Sequence, residues 1–334
     1  MTKILGIETT CDETSTAVVQ DKRIVLSNIV ASQAKLHSKY GGVVPEVASR
    51  KHLELLPVVT KEAFKKSNTK INELKAIAVS KEPGLPPALT VGYGFASGLA
   101  LSNNLPLIEV NHLEAHISGI WLAKNKKELK KIKYPYLCLL VSGGHTEIRL
   151  VTNSSQTKII GKTRDDAAGE AFDKIARLLD LGYPGGPVIN KISRLGNEST
   201  YDFPRPMIKS NNYDFSFSGL KTAVKKKVST IQKECNRYSE QKDLYSELCN
   251  NWKSDIAASF QEAVVDVLIS KTVNAAKQLK VNIITMAGGV SANSRLRDKL
   301  GRIAYKENFD IYYPDLEYCV DNAAMVASRG FEMI

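Results

Sequence analysis

The sequence predicts an α/β protein of two similar lobes facing each other across a cleft, and three observations carry that prediction. Two triplets of short strands recur, at Ile4–Glu8, Thr14–Val19 and Ile24–Val30, and again at Tyr136–Val141, Thr146–Val151 and Thr157–Lys162. Helical segments follow each triplet. A strand, a glycine pair and a helix then stand in succession near the end of the chain, at Asn282–Met286, Gly288-Gly289 and from Ser291 onward. Aliphatic and β-branched runs broken by polar or glycine turns identify strands, and a pattern returning after a long interval marks an internal repeat.

The first triplet turns through the polar stretch Thr9–Glu13, the second through Ser142-Gly143-Gly144-His145. Pro45 is suited to the first turn of a helix running to Lys66, with Val47, Leu55, Leu56 and Val59 as core positions. A second helix, Leu89–Ser102, carries Gly94 and Gly98 one turn apart, offering a bare backbone strip for close packing on the sheet. Residues 228–280 read as mostly helical, with Ile256, Phe260, Val264, Val267 and Leu268 at core spacing.

At 334 residues and 43% hydrophobic content the chain supports two modest domains. No apolar run approaches the roughly 18 residues a bilayer crossing needs. The N-terminus passes from Met1-Thr2-Lys3 directly into a strand, so a cytoplasmic, unprocessed protein with no membrane contact is expected. Five cysteines at 11, 138, 235, 249 and 319 show no CxxC spacing, so neither a disulfide framework nor a zinc ribbon is expected; Cys138 and Cys249 read as small buried residues. The 46 Lys+Arg against 35 Asp+Glu give a net charge of +11, with lysine runs at 124–133 and 221–227. Such runs are ordinarily solvated faces. Combined with the overall excess, they favour an anionic macromolecule as partner, nucleic acid ahead of membrane.

Phosphates need backbone N–H groups that can be approached closely, and glycine turns after strands supply them. Ser142-Gly143-Gly144, Gly185-Gly186 and Gly288-Gly289 qualify, and their recurrence suits a nucleotide held between lobes. His112-Leu113-Glu114-Ala115-His116 is the most specific local signal, because a helix there puts both imidazoles on one face, one turn apart. Two histidines merely satisfied by hydrogen bonds are the alternative. A zincin protease is disfavoured, since its Glu directly follows the first His, whereas Glu114 is rotated by about 200° from His112. Asp321 is the candidate third ligand, completing a two-imidazole, one-carboxylate set that suits iron or zinc with open positions. Asp12 either orients a phosphate or ion or is a solvated turn acid. Asp173 by itself reads as a surface charge.

Taken in order, these segments resemble the tRNA N6-adenosine threonylcarbamoyltransferase family of TsaD type, within the actin-like ATPase (ASKHA) superfamily. The resemblance rests on 6–14, on Gly41-Gly42-Val43-Val44-Pro45-Glu46, on 111–116, 140–146, 165–174 and 183–187, on Phe215-Ser216-Phe217-Ser218-Gly219-Leu220-Lys221-Thr222, and on 288–293 and 321–325. It implies two ribonuclease-H-like lobes with a cleft between them: a first lobe over 1–110 with a C-terminal helix at 322–334 packing back on it, and a second over 111–321 with a helical insertion around 205–255.

The resemblance further implies one divalent metal, iron first and zinc second, on His112, His116 and Asp321. It implies substrate binding by Leu140, Val141, Ser142, Gly143, Gly144, Asp173, Gly186, Asn190 and Asn293, with Asp12 and Lys221 as catalytic helpers. Where some members carry an acid, this chain has Asn190; Lys81–Ala88 is less glycine-rich than usual, and Val320 replaces a common threonine. The implied reaction moves a threonylcarbamoyl group from threonylcarbamoyl-AMP to N6 of adenosine 37 in tRNAs reading codons that begin with A. Implied partners are tRNA, a TsaB-like paralogue, a TsaE-like ATPase and a TsaC-type enzyme supplying the adenylate, with a homodimer as the organellar alternative. A glycopeptidase-type metalloprotease, a small-molecule kinase on the same fold and a non-catalytic scaffold are the competing readings.

Overall fold

Side-chain alternation builds the first three strands of the computed structural model, β1 (Lys3–Glu8), β2 (Glu13–Gln20) and β3 (Ile24–Ser32). The structure describes the backbone of residues 1–238 and 246–334 and the side chains outside 236–250. In β1, Leu5 and Ile7 face one side and Ile4 the other, each joining a separate apolar cluster. After α1 (Ala34–His37), the helices α2 (Pro45–Ser67) and α3 (Pro86–Ser102) carry the chain across to β4 (Ala76–Glu82) and β5 (Leu107–Asn111). The sheet order is β3-β2-β1-β4-β5, antiparallel through the triplet and parallel beyond it.

The second sheet repeats this plan. After α4 (His112–Ser118) come β6 (Tyr136–Val141), β7 (Thr146–Val151) and β8 (Thr157–Lys162), with the bounds expected from the sequence. Then follow α5 (Ala168–Leu178), α6 (Gly185–Ile192), α7 (Ser218–Tyr238), α8 (Ser246–Leu279), β9 (Ile283–Ala287), α9 (Ser294–Glu307), β10 (Asp310–Tyr312) and α10 (Ala323–Gly330). Its order, β8-β7-β6-β9-β10, matches the first sheet strand for strand. The part of the expected helical insertion at 239–245 lies outside the described residues. Ile256, Phe260, Val264, Val267 and Leu268 of α8 are buried in the core that backs the second sheet.

Several local expectations need correction. On α2 the buried face runs through Ala48, His52, Leu56, Val59 and Ala63, leaving Val47 and Leu55 half-buried at its margins. On α3, Gly94 and Gly98 are exposed and a Cβ at either would meet nothing within 4 Å, so they offer no strip to the sheet. Gly92, about 200° round the helix from Gly94, makes the close approach instead: a Cβ there would stand 2.1 Å from Thr9 Oγ1. Cys138 is buried and Cys11, Cys138 and Cys319 carry free thiols, but Cys235 is disulfide-bonded, against the expectation from spacing alone. The Cys249 side chain lies outside the described residues. Among the described residues, no helix is long and apolar enough to cross a membrane.

Two helices lie between the sheets and decide where the chemistry sits. α10 packs on β1, where Gly6 leaves the room: a Cβ there would be 2.1 Å from Ala323 O. α4 packs against α10 and turns Leu113 and Ile117 toward Cys138 and Leu140 of the second sheet.

Candidate metal centre and glycine-lined cleft

Asn111 ends β5 and caps α4, its Oδ1 accepting the N–H groups of Leu113 (3.1 Å) and Glu114 (3.2 Å). That cap starts the helix at His112, so His112 and His116 project from one face with ring centroids 4.6 Å apart. Asp321 precedes α10, whose cap Asn322 accepts the Met325 N–H through its side chain. Asp321 Oδ1 lies 3.0 Å from His116 Nε2 and 3.6 Å from His112 Nε2, and the three ligand atoms all fall within 4.8 Å of one another. A tetrahedral ion with bonds of about 2 Å holds its donors about 3.3 Å apart, so these residues fit one.

Behind His112 stands Glu8, a residue the sequence reading passed over. It is fully buried at the end of β1, and its carboxylate accepts from His112 Nδ1 (3.0 Å), Ser80 Oγ (2.5 Å) and the Thr10 N–H (2.7 Å). This holds the Nδ1 proton on Glu8 and aims Nε2 at Asp321, the arrangement in which a carboxylate orients a metal-binding imidazole. Burial disfavours the imidazolium, but the charges of Glu8 and Asp321 prevail and raise His112 to about 9. Burial alone would raise Asp321 as well; His112 and His116 hold it below the usual carboxylate range. His116 Nδ1 is buried without a partner, so Asp321 supplies that ring's polar contact. The remaining histidines divide: His37 and His52 are tied into the first lobe, His52 through Thr14 Oγ1 (2.8 Å) and Cys11 O (2.9 Å), whereas His145 ends the β6–β7 turn. Burial lowers the His145 pKa against the opposing charge of Glu147, and His112 and His116 push it the same way as burial.

The glycine turns cluster around the end of β6. A Cβ on Gly169 would stand 2.4 Å from Ser142 O, and one on Gly288, at φ +85°, 2.4 Å from Val141 O. Gly185 presses equally closely on Phe172 O and gives its N–H to Asp173 Oδ1 at 2.7 Å. By contrast Gly143, Gly144, Gly186 and Gly289 would each place a Cβ in open space. One set of glycines therefore lets backbones touch, and the other faces open space. Leu140 and Val141 are buried strand residues that carry the Ser142 turn, where His145 donates its N–H to Ser142 Oγ at 3.2 Å.

Other candidate residues are engaged in ways the sequence did not indicate. Asn293 is the N-cap of α9, one residue before the helix and not in its first turn: its Oδ1 accepts the Leu296 N–H and its Nδ2 donates to Gln261 Oε1 at 2.7 Å. Asn190 accepts from Ser294 Oγ at 3.0 Å, joining α6 to the start of α9. Asp173 is half-buried, and burial raises its pKa despite the Gly185 N–H, so it is no surface charge. Asp12 is buried in the β1–β2 turn, and burial, with the charges of Asp12 and Asp173 adding to it, raises the Tyr183 pKa. Lys221 pairs with Asp166 (2.5 Å), which also binds Lys174 (2.9 Å). Glu114 points away from the metal ligands to Arg329, at 2.6 Å, which removes it as a base for water at that centre.

A family model described as TsaD, tRNA N6-adenosine threonylcarbamoyltransferase, matches residues 24–328 of this sequence. A Thermosipho africanus (strain TCF52B) protein named tRNA N6-adenosine threonylcarbamoyltransferase is 50% identical over 330 residues, 99% of this chain and 94% of its own. Among solved structures, HypF of T. kodakarensis superposes with a TM-score of 0.60 at 14% identity, over 99% of this chain and 47% of HypF. Component A of the (R)-2-hydroxyglutaryl-CoA dehydratase of Acidaminococcus fermentans gives 0.54 at 15% identity, over 100% and 99%. At such identities the likeness is one of fold, the two-lobed actin-like architecture.

Proposed function

We propose, from the premise that the chain belongs to the TsaD family of tRNA N6-adenosine threonylcarbamoyltransferases, that its cleft transfers a threonylcarbamoyl group from threonylcarbamoyl-AMP to N6 of adenosine 37 in tRNAs reading codons that begin with A. The enzyme is a transferase that modifies tRNA. The observation that supports the donor assignment is that α4, which carries the two histidines of the His-His-Asp set, packs on β6, whose end carries the open Ser142-Gly143-Gly144 turn.

In this reading the N–H groups at Gly143, Gly144, Gly186 and Gly289 receive the phosphate of the AMP moiety, with Leu140, Val141, Ser142, Asp173, Asn190 and Asn293 shaping the pocket around it. His112, His116 and Asp321 hold one divalent ion, iron or zinc, which would supply Lewis acidity and a coordination point for the threonyl portion. The N6–carbon bond forms as the carbon–oxygen bond to AMP breaks, AMP leaving with the electron pair and one N6 proton passing to solvent or to the departing phosphate. Because an adenine amine is a weak nucleophile, alignment and stabilisation of developing negative charge account for most of the rate. Asp12 and Lys221 complete the site as helpers, Asp12 from the first-lobe turn and Lys221 from its pair with Asp166. Lys126, Lys127, Lys131 and Lys133 are exposed and positioned to follow a tRNA backbone. A TsaB-like paralogue, a TsaE-like ATPase and a TsaC-type adylate supplier complete the system, which works in the cytoplasm.

The deciding experiment incubates the protein with threonine, bicarbonate, ATP, the adenylate-forming enzyme and unmodified tRNA, with and without the two accessory proteins, and analyses digested RNA by mass spectrometry. The modified nucleoside should appear, and should fall to background with His112→Ala or after chelation. Cleavage of a glycoprotein, or phosphoryl transfer unaffected by His112→Ala, with no nucleoside formed, would replace this reading.

A further inference from the structure

The metal ligands come from only two elements. His112 and His116 ride on α4, and Asp321 immediately precedes α10, so the spacing of the site is set by how those two helices meet. α4 is short, seven residues, and its first turn is fixed by the Asn111 cap and by Glu8 on His112. His116 belongs to the last turn, and among the described residues its ring has no polar partner beyond Asp321.

On the far side of α4, Glu114 meets Arg329, the penultimate residue of α10, with Oε2 and Nη2 2.6 Å apart. The Arg329 side chain is 9% exposed. Its other amino group donates to Ser154 O at 2.6 Å and pairs with Glu332, which in turn binds Lys22 at 2.5 Å. Arg329 is thus held by both sheets, and through Glu114 it grips the helix bearing the two histidines. A planar guanidinium fixed on several sides transmits geometry better than a flexible ammonium would.

Resting on the metal reading above, we propose that the Glu114–Arg329 ion pair is a positioning device for the metal centre, locking α4 against α10 so that His116 and Asp321 stay at ligating distance. Glu114, in the middle of the His112–His116 motif, acts on the ion through the helix and not by touching it. Contacts made directly to a metal ligand change affinity by about 10- to 100-fold, and a brace acting through the helix is expected at the lower end of that range.

The test uses the full chain and Co2+, whose visible absorption reports coordination geometry, with affinity read by chelator competition. Glu114→Gln should weaken Co2+ binding by about tenfold or more and shift the absorption bands, while far-UV circular dichroism of the metal-free protein is unchanged. Arg329→Lys, which keeps the charge and loses the fork, should weaken it less, and the double variant should be no weaker than Glu114→Gln, since the pair acts as one unit. A purely structural pair would lower the melting temperature and leave affinity and spectrum alone; Co2+ bound by Glu114→Gln within twofold of wild type with the same bands overturns the proposal. If Glu114→Gln does not fold, unchanged affinity and bands in Arg329→Lys overturn it equally. Wild-type protein that fails to bind Co2+, or His116→Ala that binds it as well as wild type, removes the metal reading itself and this proposal with it.

Discussion

The turn after β1 and the turn after β6 hold the same place in two sheets of the same strand order, yet their chemistry is opposite. The first is crowded with Glu8, Cys11, Asp12 and Glu13; burial, Asp321 and Asp12 raise Glu13, and burial with the neighbouring acids raises the Cys11 thiol. The second has Gly143 and Gly144 with open space before them. A duplicated fold has been specialised by halves: a corner of carboxylates accepts cationic or metal-bound groups and repels a bare phosphate, while a glycine turn of backbone N–H groups does the reverse. The proposed donor, with a phosphate at one end and a metal-coordinating group at the other, matches that contrast.

The contrast breaks most visibly at the glycines. Gly288→Ala must place a Cβ 2.4 Å from Val141 O at φ +85°, and should destabilise the protein by about 3 kcal/mol, read as a lower urea midpoint. Gly143→Ala meets nothing within 4 Å and should unfold like wild type, its effect confined to a higher KM for the adenylate. Equal stability losses in the two variants would erase the distinction between packing and lining glycines.

The acidic half is tested next by Glu8→Gln. With the negative charge gone, His112 Nδ1 faces a neutral amide, a weaker and less discriminating partner, and metal affinity should fall by about tenfold or more, measured by chelator competition. Smaller still, and outside both turns, replacing Lys126, Lys127, Lys131 and Lys133 with Gln should weaken tRNA binding about tenfold at moderate salt and flatten the dependence of log affinity on log salt. The smallest effect is a gain. Gly94→Ala and Gly98→Ala should each stabilise the isolated chain by about 1 kcal/mol, because both sites are exposed helix interior with free space; a loss would mean the strip is covered after all.

Strand bounds in the second triplet were legible to the residue because polar or glycine turns interrupt continuous apolar runs there. The histidine pair was legible for a similar reason, since one-turn spacing is a local property of a helix. Glu8 was not: an acid closing an apolar strand looks like a solvated end until Ser80 and His112 are seen around it. Nor was the choice of Gly92 over Gly94 and Gly98, because spacing along a helix gives a face but not which face meets the sheet. The role of Glu114 was legible only as a negative, by its rotation away from the histidines.

By itself, then, the sequence determined the duplicated strand pattern, the positive charge, the glycine turns and the paired imidazoles, all set by short-range periodicity and by side-chain chemistry. The sequence also points to Asp321 as a third ligand, but only the tertiary structure decided that its carboxylate stands 3.0 Å from His116, that Glu8 backs His112, and that Arg329 pairs with Glu114 of α4. The physical reason is that such contacts depend on how two sheets and the helices between them are stacked, which the energy of the whole core fixes and no local stretch of chain encodes.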